Sequence, residues 1–69
     1  TVNAVAPGFT LTRFWDKTSK DEEKELLDST LLKKWVAPED IAEAFIYLAK
    51  NDSVTGQTLV VDAGYTATL

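Results

Sequence analysis

The chain has 69 residues, seven basic against eleven acidic side chains, and neither cysteine nor histidine. Disulfides, thiolate and imidazole metal sites and the commonest general base are therefore excluded. A net charge of −4 argues against nucleic acid, which needs a basic stripe to displace counterions.

No apolar run is long enough for a membrane span, and the acidic residues form no loop of alternating calcium ligands around a turn glycine. A soluble cytoplasmic protein without a metal site is expected. One domain is the upper limit, and a core of this size rarely leaves more than ~3–5 kcal/mol of net stability without a staple or partner. With no methionine and an apolar run from Thr1-Val2 onward, the chain reads as a piece of a longer protein.

The first predicted element is a strand over residues 2–6, apolar except for Asn3 and stopped by Pro7-Gly8. Residues 11–16 predict a short helical turn carrying Leu11, Phe14 and Trp15. Ser19-Lys20-Asp21-Glu22 offers a capping box for a helix over about 20–29. That helix is charged at its start, with Leu26, Leu27 and Leu31 as its apolar side and Lys33-Lys34 beside its negative pole.

Ala37-Pro38-Glu39-Asp40 is the clearest helix start, with proline at the first position and two acids in the first turn. The helix over 38–50 is expected to carry one wide apolar face of Ile41, Phe45 and Leu48 with Ala42, Ala44 and Ala49. Asn51-Asp52-Ser53 ends it. Thr55-Gly56-Gln57 is a turn, and residues 58–62 read as a second, β-branched strand closed by Ala63-Gly64.

Two short apolar strands with a helical connection predict an α/β fold. The expected unit is two parallel strands joined by helices, with a right-handed crossover. Non-alternating apolar strands suit a sheet covered on both faces. One connection covers only one face, so the other needs cover from elsewhere.

Four segments, in this order, resemble the short-chain dehydrogenase/reductase family. They are Val2-Asn3-Ala4-Val5-Ala6-Pro7-Gly8, then Thr12, then Pro38-Glu39-Asp40-Ile41-Ala42, then Thr55-Gly56-Gln57 leading into Val60-Val61-Asp62. Together they cover nearly the whole chain. The resemblance implies that residues 1–69 are the C-terminal segment of an NAD(P)-binding Rossmann domain, a fragment of a doubly wound sheet.

In that family the loop after the Pro-Gly strand embraces the nicotinamide end of NAD or NADP. By resemblance, Pro7 and Gly8 shape the turn, the Thr10 backbone meets the carboxamide, and Thr12 offers its hydroxyl to the carboxamide or nearby phosphate. An amide needs a donor and an acceptor at fixed distance, which a turn supplies. Thr12 also suits the N-cap of the next helical turn. Leu11, Phe14 and Trp15 fall where the family's substrate lid begins, and simple packing is the alternative, favoured for Leu11.

Three positions depart from the family pattern. Thr10 replaces a branched apolar residue. Val36 stands where glycine is frequent, which puts a tight turn there in question. Ala63 stands where a first glycine commonly follows the Val-Asp pair.

The catalytic tyrosine, with its lysine four residues later, has no counterpart. Tyr47 and Lys50 are three apart and lie on the wrong helix, where a lysine facing the helix dipole is the plain reading. Gly8, Gly56 and Gly64 are too dispersed for a dinucleotide fingerprint. The resemblance therefore implies an NAD(P)-dependent oxidoreductase parent, with no catalytic residue and no bound cofactor in these 69 residues alone.

A second function class is self-association. The family packs its last helix and strand against a neighbouring subunit, which here implies Ala42, Phe45, Ala49, Val60 and Val61 as interface residues. The bare sheet face and open strand edges favour the same outcome, and a symmetric dimer is the commonest closed solution. The partners expected are thus a second copy and the remainder of the parent enzyme.

Overall fold

A computed structural model describes residues 1–69. Strand β1 (Ala4–Pro7) and strand β2 (Thr58–Val61) pair in parallel, with Ala4 opposite Thr58 and Pro7 opposite Val61. Between them lie a 3₁₀ turn (Arg13–Trp15), helix α1 (Lys20–Asp28) and helix α2 (Pro38–Lys50), and a second 3₁₀ turn (Thr66–Thr68) closes the chain. This is a partial α/β Rossmann-like unit, as the sequence predicts. Strand β1 starts two residues later than expected and runs through Pro7, which was expected to stop it. Strand β2 is one residue shorter than expected, and the helix anticipated over 11–16 contracts to one 3₁₀ turn.

The register is set before β1 begins. Asn3, the one polar residue of that run, donates from Nδ2 to the Val54 carbonyl and accepts from the Gln57 N–H at Oδ1, at 2.9 and 3.0 Å. The Ala4 N–H donates to the Gln57 carbonyl at 2.8 Å. The Thr55-Gly56-Gln57 turn is thereby clamped to the start of β1, with Gly56 in the left-handed region at φ 72°.

Helix α2 starts as its sequence demands. The Ala37 N–H donates to the Asp40 carboxylate at 3.1 Å, satisfying one group that a helix terminus would leave free. Helix α1 begins with half of its expected box: the Ser19 hydroxyl accepts from the Glu22 N–H at 3.1 Å. At the other end the Lys33 ammonium donates to the Asp28 carbonyl, the helix-end role its charge predicts. Leu31 lies beyond α1 and is exposed.

Helix α2 packs across both strands. The expected wide apolar face divides in two. Ala44 and Leu48 are buried and Ile41 is half-buried, whereas Ala42, Phe45 and Ala49 face outward. Helical geometry forces this, since residues 41, 44 and 48 share a side that 42, 45 and 49 leave. In β2, half-buried Leu59 and Val61 alternate with exposed Thr58 and Val60. The pleat puts Val60 and Val61 on opposite faces, so one flat interface cannot take both.

The uncovered sheet face is therefore real. Only Val36, Ala44 and Leu48 form a buried apolar core. The radius of gyration is 13.7 Å, against about 11 Å for a compact chain of this length. The molecule is a slab, 14 Å across its thinnest axis. No helix is long and apolar enough to cross a membrane.

Candidate functional site

The site forms where β1 and β2 end side by side. The Gly8 N–H donates to the Val61 carbonyl at 3.0 Å, extending the pairing one residue past Pro7. The chain then turns to run beside Val36. There the Val36 N–H donates to the Phe9 carbonyl at 2.9 Å and the Leu11 N–H to the Val36 carbonyl at 3.0 Å. A short parallel bridge between Thr10 and Val36 results.

That bridge decides what Thr10 can do. In extended backbone a residue's own N–H and C=O project to the same side, and here Val36 is the residue that uses both toward its partner. Thr10's N–H and C=O point the other way, and neither is hydrogen-bonded within the chain. Its hydroxyl donates back to the Gly8 carbonyl at 3.0 Å, fixing the turn. One residue thus presents an adjacent donor and acceptor, the complement of a primary amide.

Thr12 is at the start of the first 3₁₀ turn in extended backbone, and its side chain makes no capping bond. Only its carbonyl serves the turn, accepting from the Trp15 N–H at 3.1 Å. The N-cap role expected for the hydroxyl is not used. Pro7 therefore ends β1, and Gly8, Thr10 and Thr12 follow it on one continuous segment at the carboxyl end of the sheet.

Of the three residues assigned to a lid, Leu11 and Phe14 are exposed and Trp15 is half-buried. Packing does not occupy Leu11. Trp15 anchors an aromatic group, with ring centroids 6.0 Å from Phe9, 4.8 Å from Phe14 and 5.4 Å from Trp35. Phe9 in turn meets Tyr65, 5.0 Å away at an interplanar angle of 63°. Trp35 Nε1 donates to the Glu23 carboxylate at 2.9 Å, tying α1 to the segment beside the site. A hollow of about 450 Å³ opens between these rings and α1.

Asp62 is the residue that sequence reasoning passed over. It is buried, and its carboxylate accepts from the Gly64 and Thr66 N–H groups, each at 2.9 Å. The Thr66 backbone N–H, then the Thr66 hydroxyl, hold its pKa below the usual carboxylate value, with burial opposing. The signal was present: an aspartate ending a strand before Ala-Gly-Tyr-Thr is an Asx-turn pattern. Phe9, Glu23, Trp35 and Tyr65 were missed because their partners are distant in sequence.

The departures from the family pattern now have outcomes. Val36 takes no strained turn; the left-handed residue of that connection is Lys33, at φ 54°. Ala63 adopts φ 54°, a conformation that favours glycine.

A sequence model described as enoyl-(acyl carrier protein) reductase matches residues 1–66. The chain belongs to the short-chain dehydrogenase/reductase family. Within that family it is 48% identical over 67 residues to the 3-oxoacyl-(acyl-carrier-protein) reductase FabG of Rickettsia bellii. The match covers 93% of this chain and 27% of that protein. The FabG protein of Rickettsia prowazekii is 41% identical over 66 residues with the same coverage. The short-chain dehydrogenase/reductase homolog YusR of Bacillus subtilis is 35% identical over 65 residues, covering 94% of this chain and 50% of YusR. The chain therefore spans about a quarter of the FabG relatives and half of this shorter member.

Proposed function

We propose that residues 1–69 are the C-terminal part of an NAD(P)-dependent short-chain oxidoreductase. They contribute the nicotinamide-pocket loop, the substrate lid and a subunit contact, and have no activity alone. The observation that carries this reading is the free N–H and C=O of Thr10 beyond the Pro7-Gly8 turn. Together they match the two hydrogen-bonding groups of the nicotinamide carboxamide, and the Thr12 hydroxyl, which caps nothing, adds a third group.

When bound, the nicotinamide ring supplies or accepts the hydride. The residues here orient it: Gly8 allows the close turn, Thr10 fixes the plane of the amide, and Thr12 reaches the amide or the adjacent phosphate. Leu11, Phe14 and Trp15 follow directly on that loop and supply apolar surface over the ring, where a lid excludes water.

Fluorescence titration of the intact enzyme carrying this segment with NADH and NADPH tests it. Binding of one of them, weakened by Thr12→Val, is expected, with no binding to residues 1–69 alone. Micromolar binding to the 69-residue chain would contradict the division of labour.

Self-association is the second reading, favoured by one specific observation. Phe45 is 56% exposed and stands between Ala42 and Ala49 in an outward apolar row on α2, while Val60 is exposed on the open sheet face. A second copy is the proposed partner of that row, and the remainder of the parent sheet is the proposed cover for Val60. Sedimentation of a folded monomer at micromolar concentration would count against it.

A further inference from the structure

Two hollows of about 450 Å³ flank α1, and their linings differ in charge and character. The hollow nearer the α1 end and Lys33 is lined by Lys20, Lys24 and Lys33 with Glu23 and Asp28, so its charges are mixed and it has one apolar wall, Leu27. The other is walled by Phe9, Trp15, Tyr65 and Leu26, and the charged groups on its lining are Glu22 and Glu25 alone. Helix α1 thus sorts its charges, turning lysines to one side and two carboxylates to the aromatic side.

The aromatic walls are angled rather than stacked. Trp15 meets Phe9 at 83° and Tyr65 meets it at 63°, so the three rings are not parallel. Ring faces attract cations through their quadrupole, and several rings around one space make the cage that recognises alkylated ammonium groups. Neither Glu22 nor Glu25 has a hydrogen-bond partner for its carboxylate, in contrast to Glu23, which is engaged by Trp35. An anionic group entering this space would meet two carboxylates and no cation.

We propose that this hollow binds an organic cation, a protonated or quaternary amine with alkyl substituents. The rings take the alkylated head and Glu22 and Glu25 supply the countercharge. Its volume suits a small organic molecule. Because Phe9 adjoins Thr10 on the same loop, a bound amine lies next to the proposed carboxamide site. That the amine belongs to the substrate, an amino ketone or amino alcohol, rests on the oxidoreductase reading; the cation site itself does not.

The test compares choline with 3,3-dimethylbutan-1-ol, its neutral isostere, on the intact protein without cofactor. Tryptophan emission and the aromatic proton resonances of Phe9 and Tyr65 report binding. Choline is expected to bind at least about tenfold more tightly than the alcohol, the size of effect a desolvated cation–π contact with a countercharge supplies. The Glu22→Gln/Glu25→Gln variant changes two exposed side chains and keeps the Ser19 cap, and in it choline should fall to the level of the alcohol. Tyr65→Leu should weaken choline without affecting the alcohol. Equal binding of the two probes, absence of choline binding, or choline binding undiminished in both variants would overturn the proposal. Since no cofactor is present, those results leave the oxidoreductase reading unaffected, and failure to bind NAD(P) leaves the cation site standing.

Discussion

Gly8 and Asp62 touch backbone to side chain where the two strands end. A β-carbon at position 8 would lie 2.6 Å from the Asp62 Cβ and 2.7 Å from its Cα, closer than any side chain tolerates. The glycine is required by this approach and not by a positive φ. It brings the Thr10 loop onto the Asp62 turn, so the candidate amide site and the buried carboxylate are parts of one construction. Gly8→Ala must therefore push the loop off β2. We expect a loss of about 1–3 kcal/mol in urea unfolding and weaker cofactor binding by the intact enzyme.

Asp62 makes acid sensitivity a second prediction. Its folded-state pKa lies below its unfolded value, so the stabilisation it gives is complete above the unfolded value, about 3.9. It is lost as pH falls through the lower folded value. Thermal melts of the protein and of Asp62→Asn should differ at neutral pH, with the variant less stable. The gap should close at acidic pH once the carboxylate is protonated. A gap that persists unchanged into strong acid would show that packing and not charge is responsible.

Ala63 holds a left-handed backbone at φ 54° beside Gly64 at φ 89°. Glycine relieves that conformation, so Ala63→Gly should stabilise the protein by about 0.5–1 kcal/mol after glycine's own entropy cost is subtracted. Gly64→Ala should do the reverse, because its β-carbon would meet the Leu31 Cβ at 2.6 Å. Chemical denaturation midpoints of the two variants check both signs.

The backbone of helix α1 stands apart from the sheet and from α2. Its ties are made at its ends and through the Trp35–Glu23 hydrogen bond. Trp35→Phe should free Glu23 at a cost of about 1 kcal/mol, seen as faster amide exchange along α1 with little change in α2. Uniform exchange across both helices would show that the two are one cooperative unit.

How much of this was legible in the sequence follows from the range of each signal. Pro38-Glu39-Asp40 announced α2 because its partners are three residues away, whereas Pro7, expected to stop β1, pairs with Val61 as its last residue and the Gly8 N–H carries the ladder on. The aromatic group was not legible, since Phe9 meets Tyr65, and Trp15 meets Trp35, across long stretches of sequence. The apolar positions of α2 were found but their sides were merged, because alanine marks a close approach without saying which surface makes it. Thr10 was named from resemblance alone. What no local pattern could supply is that Val36 turns both Thr10 backbone groups outward.

The proposed role of the Thr10 backbone is to hold a primary amide through one donor and one acceptor. The most direct measurement compares binding of NAD(P) with binding of its nicotinic acid analogue, in which a carboxylate replaces the carboxamide, to the intact enzyme. The analogue loses the N–H that meets the Thr10 carbonyl and sets an oxygen against it. Leaving that acceptor unpaired should weaken binding by about 10- to 100-fold. Equal affinity for the two cofactors would contradict the account.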